Sequence, residues 1–272
     1  MWWFQHGLCI LPVALVVWSS ATLIFAYVTA VLLRHVDPVF PFISDTGTVA
    51  PERCVFGLML NISTFLGVAT VFIRYKQVQA LVGLEERQLH RWNLAGLVLG
   101  LISAFGMCIV ANFQKTVIVY VHLTGAMLSI VIGVCYILVQ TVVSYRMQPH
   151  IHGKAIFWAR LVIWLWTSAS FISMLVSSVI MYNSLPGVDV ARKMHWVPGE
   201  VGYTAHLVSS VSEWSLAFSF LGFFLTYIRD FQKINLRVEA VLESNTLYDS
   251  THYNVRVHVH HGVGSLLLAG SI

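Results

Sequence analysis

Residues 117–143 read VIVYVHLTGAMLSIVIGVCYILVQTVV, with no Asp, Glu, Lys or Arg among them. A helix rises about 1.5 Å per residue, so roughly 20 apolar residues cross the hydrocarbon core of a bilayer. This stretch is therefore a transmembrane span. Five more follow the same rule, at about 8–33, 54–73, 92–112, 157–181 and 204–228. The fold class expected is all-α: a polytopic six-transmembrane-helix bundle. Residues 1–228 make the bundle, and 229–272 make a flexible cytoplasmic tail.

Composition agrees. Of 272 residues, 57% are hydrophobic and only 10% charged, where a soluble domain has about 25% charged. No second folded soluble domain fits. The pI near 8.9 reflects basic residues at span ends, and no nucleic-acid partner is implied. The N-terminal Met1-Trp2-Trp3-Phe4 lacks a basic n-region and a small-x-small cleavage site, so the first span reads as a retained signal anchor. With the N-terminus in the cytoplasm, eleven of the sixteen Lys and Arg fall on the cytoplasmic side, Arg74 and Arg160 among them. Five fall opposite: Arg34, Arg53, Lys115, Arg192 and Lys193. The positive-inside rule then puts both termini in the cytoplasm.

The connections are informative. Pro38 and Pro41 stop the first helix. Ala50-Pro51-Glu52 starts the second, with an acid in the first turn. The link around Asn112–Thr116 is so short that the third and fourth spans form an antiparallel hairpin. Gly96, Gly100, Ala104 and Gly106 give the third span a small face for close helix contact, within the bundle or between protomers. Cys9, Cys54, Cys108 and Cys135 read as buried free thiols.

Candidate chemistry is sparse. Asp45-Thr46-Gly47 matches half of an aspartic-protease signature, but that chemistry needs two carboxylates. A turn, with Gly47 at positive φ, is the reading preferred. Glu213 is the one acid well inside a span, and an intramembrane ionisable group is a functional-site hypothesis by default. His206 lies seven residues earlier on nearly the same face. Asn61 and His122 reach comparable depth. Together Glu213, His206, His122 and Asn61 suggest a polar layer in the outer half of the bundle. Either it binds a headgroup, ion or proton, or it is a hydrogen-bonded core that fixes packing. Asn61-Ile62-Ser63 is a glycosylation sequon inside a span and is expected to be unused. Tyr75-Lys76-Gln77-Val78 fits a tyrosine-based sorting pattern but abuts a helix. His258, His260 and His261 lack defined metal-ligand spacing. No nucleotide, zinc or triad motif is present, so no cofactor, catalytic residue or metal is expected.

Four blocks carry a resemblance: Met1-Trp2-Trp3-Phe4-Gln5, Ile43-Ser44-Asp45-Thr46-Gly47, Val110–Thr116 (VANFQKT) and Leu225–Lys233 (LTYIRDFQK). In this order, and over residues 1 to about 249, the chain resembles the damage-regulated autophagy modulators. Met147-Gln148-Pro149 with His152-Gly153-Lys154 is closer to the second paralogue of that family than to the first. The resemblance implies a non-enzymatic six-span regulator that promotes autophagy at lysosomal or endosomal membranes, with Golgi or plasma membrane as alternatives. It also implies a link to photoreceptor maintenance. Its partners would be membrane lipids, and autophagy factors met through the cytoplasmic loops and tail. Wider relatives handle lipids. The rival reading is therefore a lipid-handling protein, transporter or remodelling enzyme, centred on Glu213. The tail departs from the family pattern after about Ser250, and no acidic residue precedes Leu266-Leu267 within reach of a dileucine sorting signal.

Overall fold

Each apolar stretch folds as one helix, and the polar or Pro-bearing segments between them become connections. The computed structural model describes residues 8–83, 86–148, 153–232 and 234. Over these the helices are α1 (Ile10–Leu32), α2 (Ile43–Thr46), α3 (Glu52–Leu81), α4 (Arg87–Asn112), α5 (Val119–Arg146), α6 (Lys154–Ser184), α7 (Tyr203–Leu225) and α8 (Ile228–Phe231). A single 3-10 turn covers Val190–Arg192. α1, α3, α4, α5, α6 and the α7–α8 unit are long and apolar enough to cross a membrane. The chain is a multi-pass, all-α membrane protein.

The six spans close a ring in chain order: α1 packs on α3, α3 on α4, α4 on α5, α5 on α6, α6 on α7, and α7 back on α1. Large apolar side chains such as Leu58, Phe65, Phe105, Val162 and Ile172 point outward and stay exposed. That surface would be untenable in water but suits lipid. Two seams show why the helices sit so close. A Cβ on Gly106 would lie 2.5 Å from the Ser129 backbone nitrogen, so α4 and α5 touch backbone to backbone there. Gly96 and Gly100 similarly admit Gln140 of α5 and Val71 of α3, so the small face works within the bundle. Along α6–α7, hydroxyls pair across the seam: Ser170 with Ser215 at 3.0 Å, Ser173 with Ser212 at 2.9 Å, and Ser178 with Ser209 at 2.6 Å.

The connections between α1 and α3, α4 and α5, and α6 and α7 share one end, called here the long-loop end. α8 marks the other. Several expectations shift against this frame. α3 extends to Leu81, so Arg74 lies inside a helix and the sorting-like Tyr75–Val78 is helical, with Val78 fully buried. Arg160 is likewise buried inside α6. Neither is an exposed loop charge, so neither counts toward the basic asymmetry. Gly47 has φ −112, not a positive value. Its lack of a side chain serves close packing instead, since a Cβ would fall 2.1 Å from the Phe56 ring. Only Cys9 of the four thiols is buried; Cys54 and Cys135 are exposed. The packed body continues past Tyr227 into α8, where Phe231 is fully buried. The rest of the tail, with His258, His260 and His261, lies outside the described residues.

Candidate functional site

The four expected polar residues form two clamps rather than one layer. In the first, Glu213 Oε2 accepts a 2.7 Å hydrogen bond from the Ile43 backbone N–H. Its neighbour Trp214 donates through Nε1 to Pro41 O at 2.9 Å. Glu213 lies ten residues beyond the start of α7, about 15 Å at helical rise. The 41–46 segment is therefore drawn down between α1 and α7. His206 packs edge-on against Phe42 of the same segment and stacks on Trp196, with centroids 4.2 Å apart and planes 6° from parallel. In the second clamp, Asn61 and the last residue of α4, Asn112, exchange side-chain hydrogen bonds at 3.0 and 3.2 Å. His122 Nδ1 bonds to Phe113 O at 2.7 Å and ties the α4–α5 turn to α5. Lys115 joins the two clamps: its ammonium pairs with buried Asp45 of α2 and lies over the Phe42 ring at 5.1 Å. Burial pushes the Asp45 carboxyl above its ordinary value, and Lys115 draws it back down.

The two long loops are fastened to each other. Asp37 accepts the Trp196 backbone N–H at 2.6 Å and pairs with His195 Nδ1 at 3.0 Å. Partial burial alone would raise the Asp37 carboxyl. The bonds from His195 and Trp196 outweigh it and hold the group below its ordinary 3.8. Lys193 pairs with Glu200 at 3.1 Å and caps the outer face of the Trp196 ring. His35 and Glu52 pair at the head of α3. Between the loops lies a cavity of about 200 Å³. Asp37, Asp45, Trp196, Tyr203 and His206 supply its polar lining, and Val39, Pro41, Met194 and Pro198 its apolar walls.

The most heavily charged cluster was not expected. At the α8 end, Arg74 and Arg160 are both fully buried and share one carboxylate oxygen, Asp230 Oδ2, at 3.2 and 2.7 Å. Arg160 also donates from Nε to Thr226 Oγ1 at 2.9 Å and from Nη1 to Ser144 Oγ. Arg74 donates from Nη1 to Gln77 Oε1 at 2.7 Å and from Nε to Gln140 Oε1 at 3.3 Å, while its Nη2 has no hydrogen-bond partner among the described residues. The guanidiniums flank the Tyr227 ring at 4.9 and 5.3 Å, and Tyr227 shares a hydroxyl–hydroxyl bond with Tyr136 at 2.9 Å. Two isolated buried cations would be very costly; a shared anion and several acceptors make the arrangement stable. The cluster thus locks α3, α5, α6 and the α7–α8 corner together. A sequence signal did exist. Arg74 and Arg160 each sit within a turn or two of a span end, and the Leu225–Lys233 block holds Asp230. Nothing in the sequence alone places these three residues in contact.

Comparison with known proteins fits this architecture. The profile of the Frag1/DRAM/Sfk1/Cwh43P N-terminal domain matches residues 7–234, from just before α1 to just beyond α8. The chain belongs to this family. Arg74, Arg160 and Asp230 all lie within the matched Frag1/DRAM segment. The chain is 57% identical to DNA damage-regulated autophagy modulator protein 2 of Bos taurus over 250 residues, covering 92% of this chain and 94% of that protein. It is 55% identical to the Homo sapiens protein of the same name, at the same coverage. It is 42% identical to DNA damage-regulated autophagy modulator protein 1 of Homo sapiens, covering 89% of this chain and 98% of that protein. The expected family, and the greater likeness to the second paralogue, are borne out. No solved structure matches.

Proposed function

We propose that this chain is a non-enzymatic, multi-pass membrane regulator that promotes autophagy at lysosomal or endosomal membranes. The observation that carries the reading is similarity along nine-tenths of the chain to proteins named as autophagy modulators. The geometry supports a regulator over a catalyst at Glu213. Its carboxylate is engaged by the Ile43 N–H and shapes a loop, as a structural polar core requires. Autophagy factors would meet the protein on the α8 side, where the basic connections lie, with both termini cytoplasmic. Photoreceptor maintenance would be one tissue setting of the same activity.

The test expresses the full chain at matched abundance in cells and measures autophagic flux with and without a lysosomal inhibitor. Raised flux, with the protein on endolysosomal membranes, is expected. Unchanged flux at equal abundance would overturn the reading. Engineered glycosylation sequons check orientation: one in the 185–202 loop should be used and one in the tail should not.

A further inference from the structure

The cavity between the long loops is walled by polar groups that the fold itself leaves unused. Trp196 is 7% exposed and His206 3% exposed, yet among the described residues Trp196 Nε1 and His206 Nδ1 have no hydrogen-bond partner. Both residues line the cavity. Burying a donor or acceptor without a partner is unfavourable, so two on one cavity wall point to something that meets them there. Their ring faces are not available. The imidazole covers one face of the indole, and Lys193 caps that indole at 4.7 Å. Only the ring edges remain for a ligand.

The charges around the cavity narrow the chemistry. Asp37 is paired with His195, Asp45 with Lys115, and Lys193 with Glu200. An anionic ligand would have to displace one of these contacts and face the Asp37 and Asp45 carboxylates. A carboxylate keeps spare lone pairs after one ion pair, however, and Tyr203 adds a hydroxyl on the rim. The cavity therefore offers donors at Trp196 and Tyr203 and acceptors at Asp37 and Asp45, with His206 Nδ1 on the same wall. A hydroxyl answers both kinds of group, since it donates one bond and accepts two without carrying charge. About 200 Å³ is the room of about seven waters and lies below the range of drug-sized pockets. It suits one small ring. We propose that this cavity is a binding site for a neutral, multiply hydroxylated ring of hexose size, presented either as a free sugar or as the headgroup of a glycolipid. The site lies at the first turns of α7, where a span meets its loop, so either source can reach it.

The experiment uses the purified full chain in phosphatidylcholine nanodiscs. Free D-glucose and D-galactose are tested by saturation-transfer NMR, with glucose 6-phosphate as the charged comparator. Glucosylceramide and galactosylceramide in the disc are tested by native mass spectrometry. Binding of a neutral probe is expected in at least one arm, and the arm identifies the source. Trp196→Phe keeps a ring against His206 but removes the Nε1 donor. One hydrogen bond of about 0.5–1.5 kcal/mol corresponds to roughly 2- to 13-fold weaker binding. Trp166→Phe removes an indole donor bound instead to Ser215 on the α6–α7 seam and should leave binding unchanged. If Trp196→Phe does not fold, Tyr203→Phe reads the same loss. No binding in either arm would overturn the proposal and leave a hydrated vestibule. So would stronger binding of glucose 6-phosphate, or full binding by both Trp196→Phe and Tyr203→Phe.

Discussion

Asp230→Asn tests the arginine lock directly. In the native chain Asp230 Oδ2 lies 2.7 Å from Arg160 Nη2 and 3.2 Å from Arg74 Nη1, and both guanidiniums are wholly buried. At an effective dielectric near 20, one unit pair about 4 Å apart is worth about 4 kcal/mol. Removing the acid leaves two buried cations facing each other, and breaking a buried pair typically costs about 3–5 kcal/mol. Asp230→Asn should therefore destabilise by at least that range. Arg74→Gln acts differently. It removes a cation whose Nη2 has no hydrogen-bond partner among the described residues and leaves the Arg160–Asp230 pair in place, so it should cost less. The assay is unfolding of the purified protein in mixed micelles by titrated SDS, followed by tryptophan fluorescence, with free energies from midpoint and slope. Arg74→Gln as costly as Asp230→Asn, or Asp230→Asn within about 1 kcal/mol of native, would refute the charge argument.

Three further outcomes follow from the same structure. Glu213→Gln keeps an acceptor for the Ile43 N–H and should be tolerated, while Glu213→Leu leaves that N–H unpaired and should lose about 1–3 kcal/mol in the same SDS titration; equal stability of the two would show that the bond is idle. Gly106→Ala forces a Cβ to within 2.5 Å of the Ser129 backbone nitrogen, so α4 and α5 must part, and overpacking of about 1–3 kcal/mol should appear as a lower thermal midpoint; an unchanged midpoint would sink the close-contact account. Asp37 is held below 3.8 in the folded state, so its contribution is fully present above 3.8 and is lost as pH falls through the folded value. Hydrogen-exchange protection of the Trp196 amide, corrected for intrinsic rate, should then be equal at pH 7 and pH 5, and a drop between them would contradict the sign.

The sequence by itself determined the class and the number of spans, because both depend on local composition. A run such as 117–143 has no alternative in a bilayer, where each backbone polar group must be satisfied within its own helix. Pro38 and Pro41 kept the connection after α1 non-helical, although α1 itself ends earlier, at Leu32, with Arg34 at φ 60, and the short Asn112–Thr116 link forced the α4–α5 hairpin. The four polar residues were legible as intramembrane polar groups, but their partners were not. Glu213 meets a backbone N–H 170 residues away, and Asn61 meets Asn112 across a helix seam. Gly47 was read as a turn glycine; only the position of Phe56 showed it to be a packing glycine. Arg74 and Arg160 looked like loop charges because a basic residue near a span end can snorkel to the interface. The tertiary structure decided otherwise, since α8 brings Asp230 within reach of both guanidiniums. Burial of a charge is a property of what surrounds it in space, and along the chain the shared anion Asp230 is 70 residues from Arg160 and 156 from Arg74.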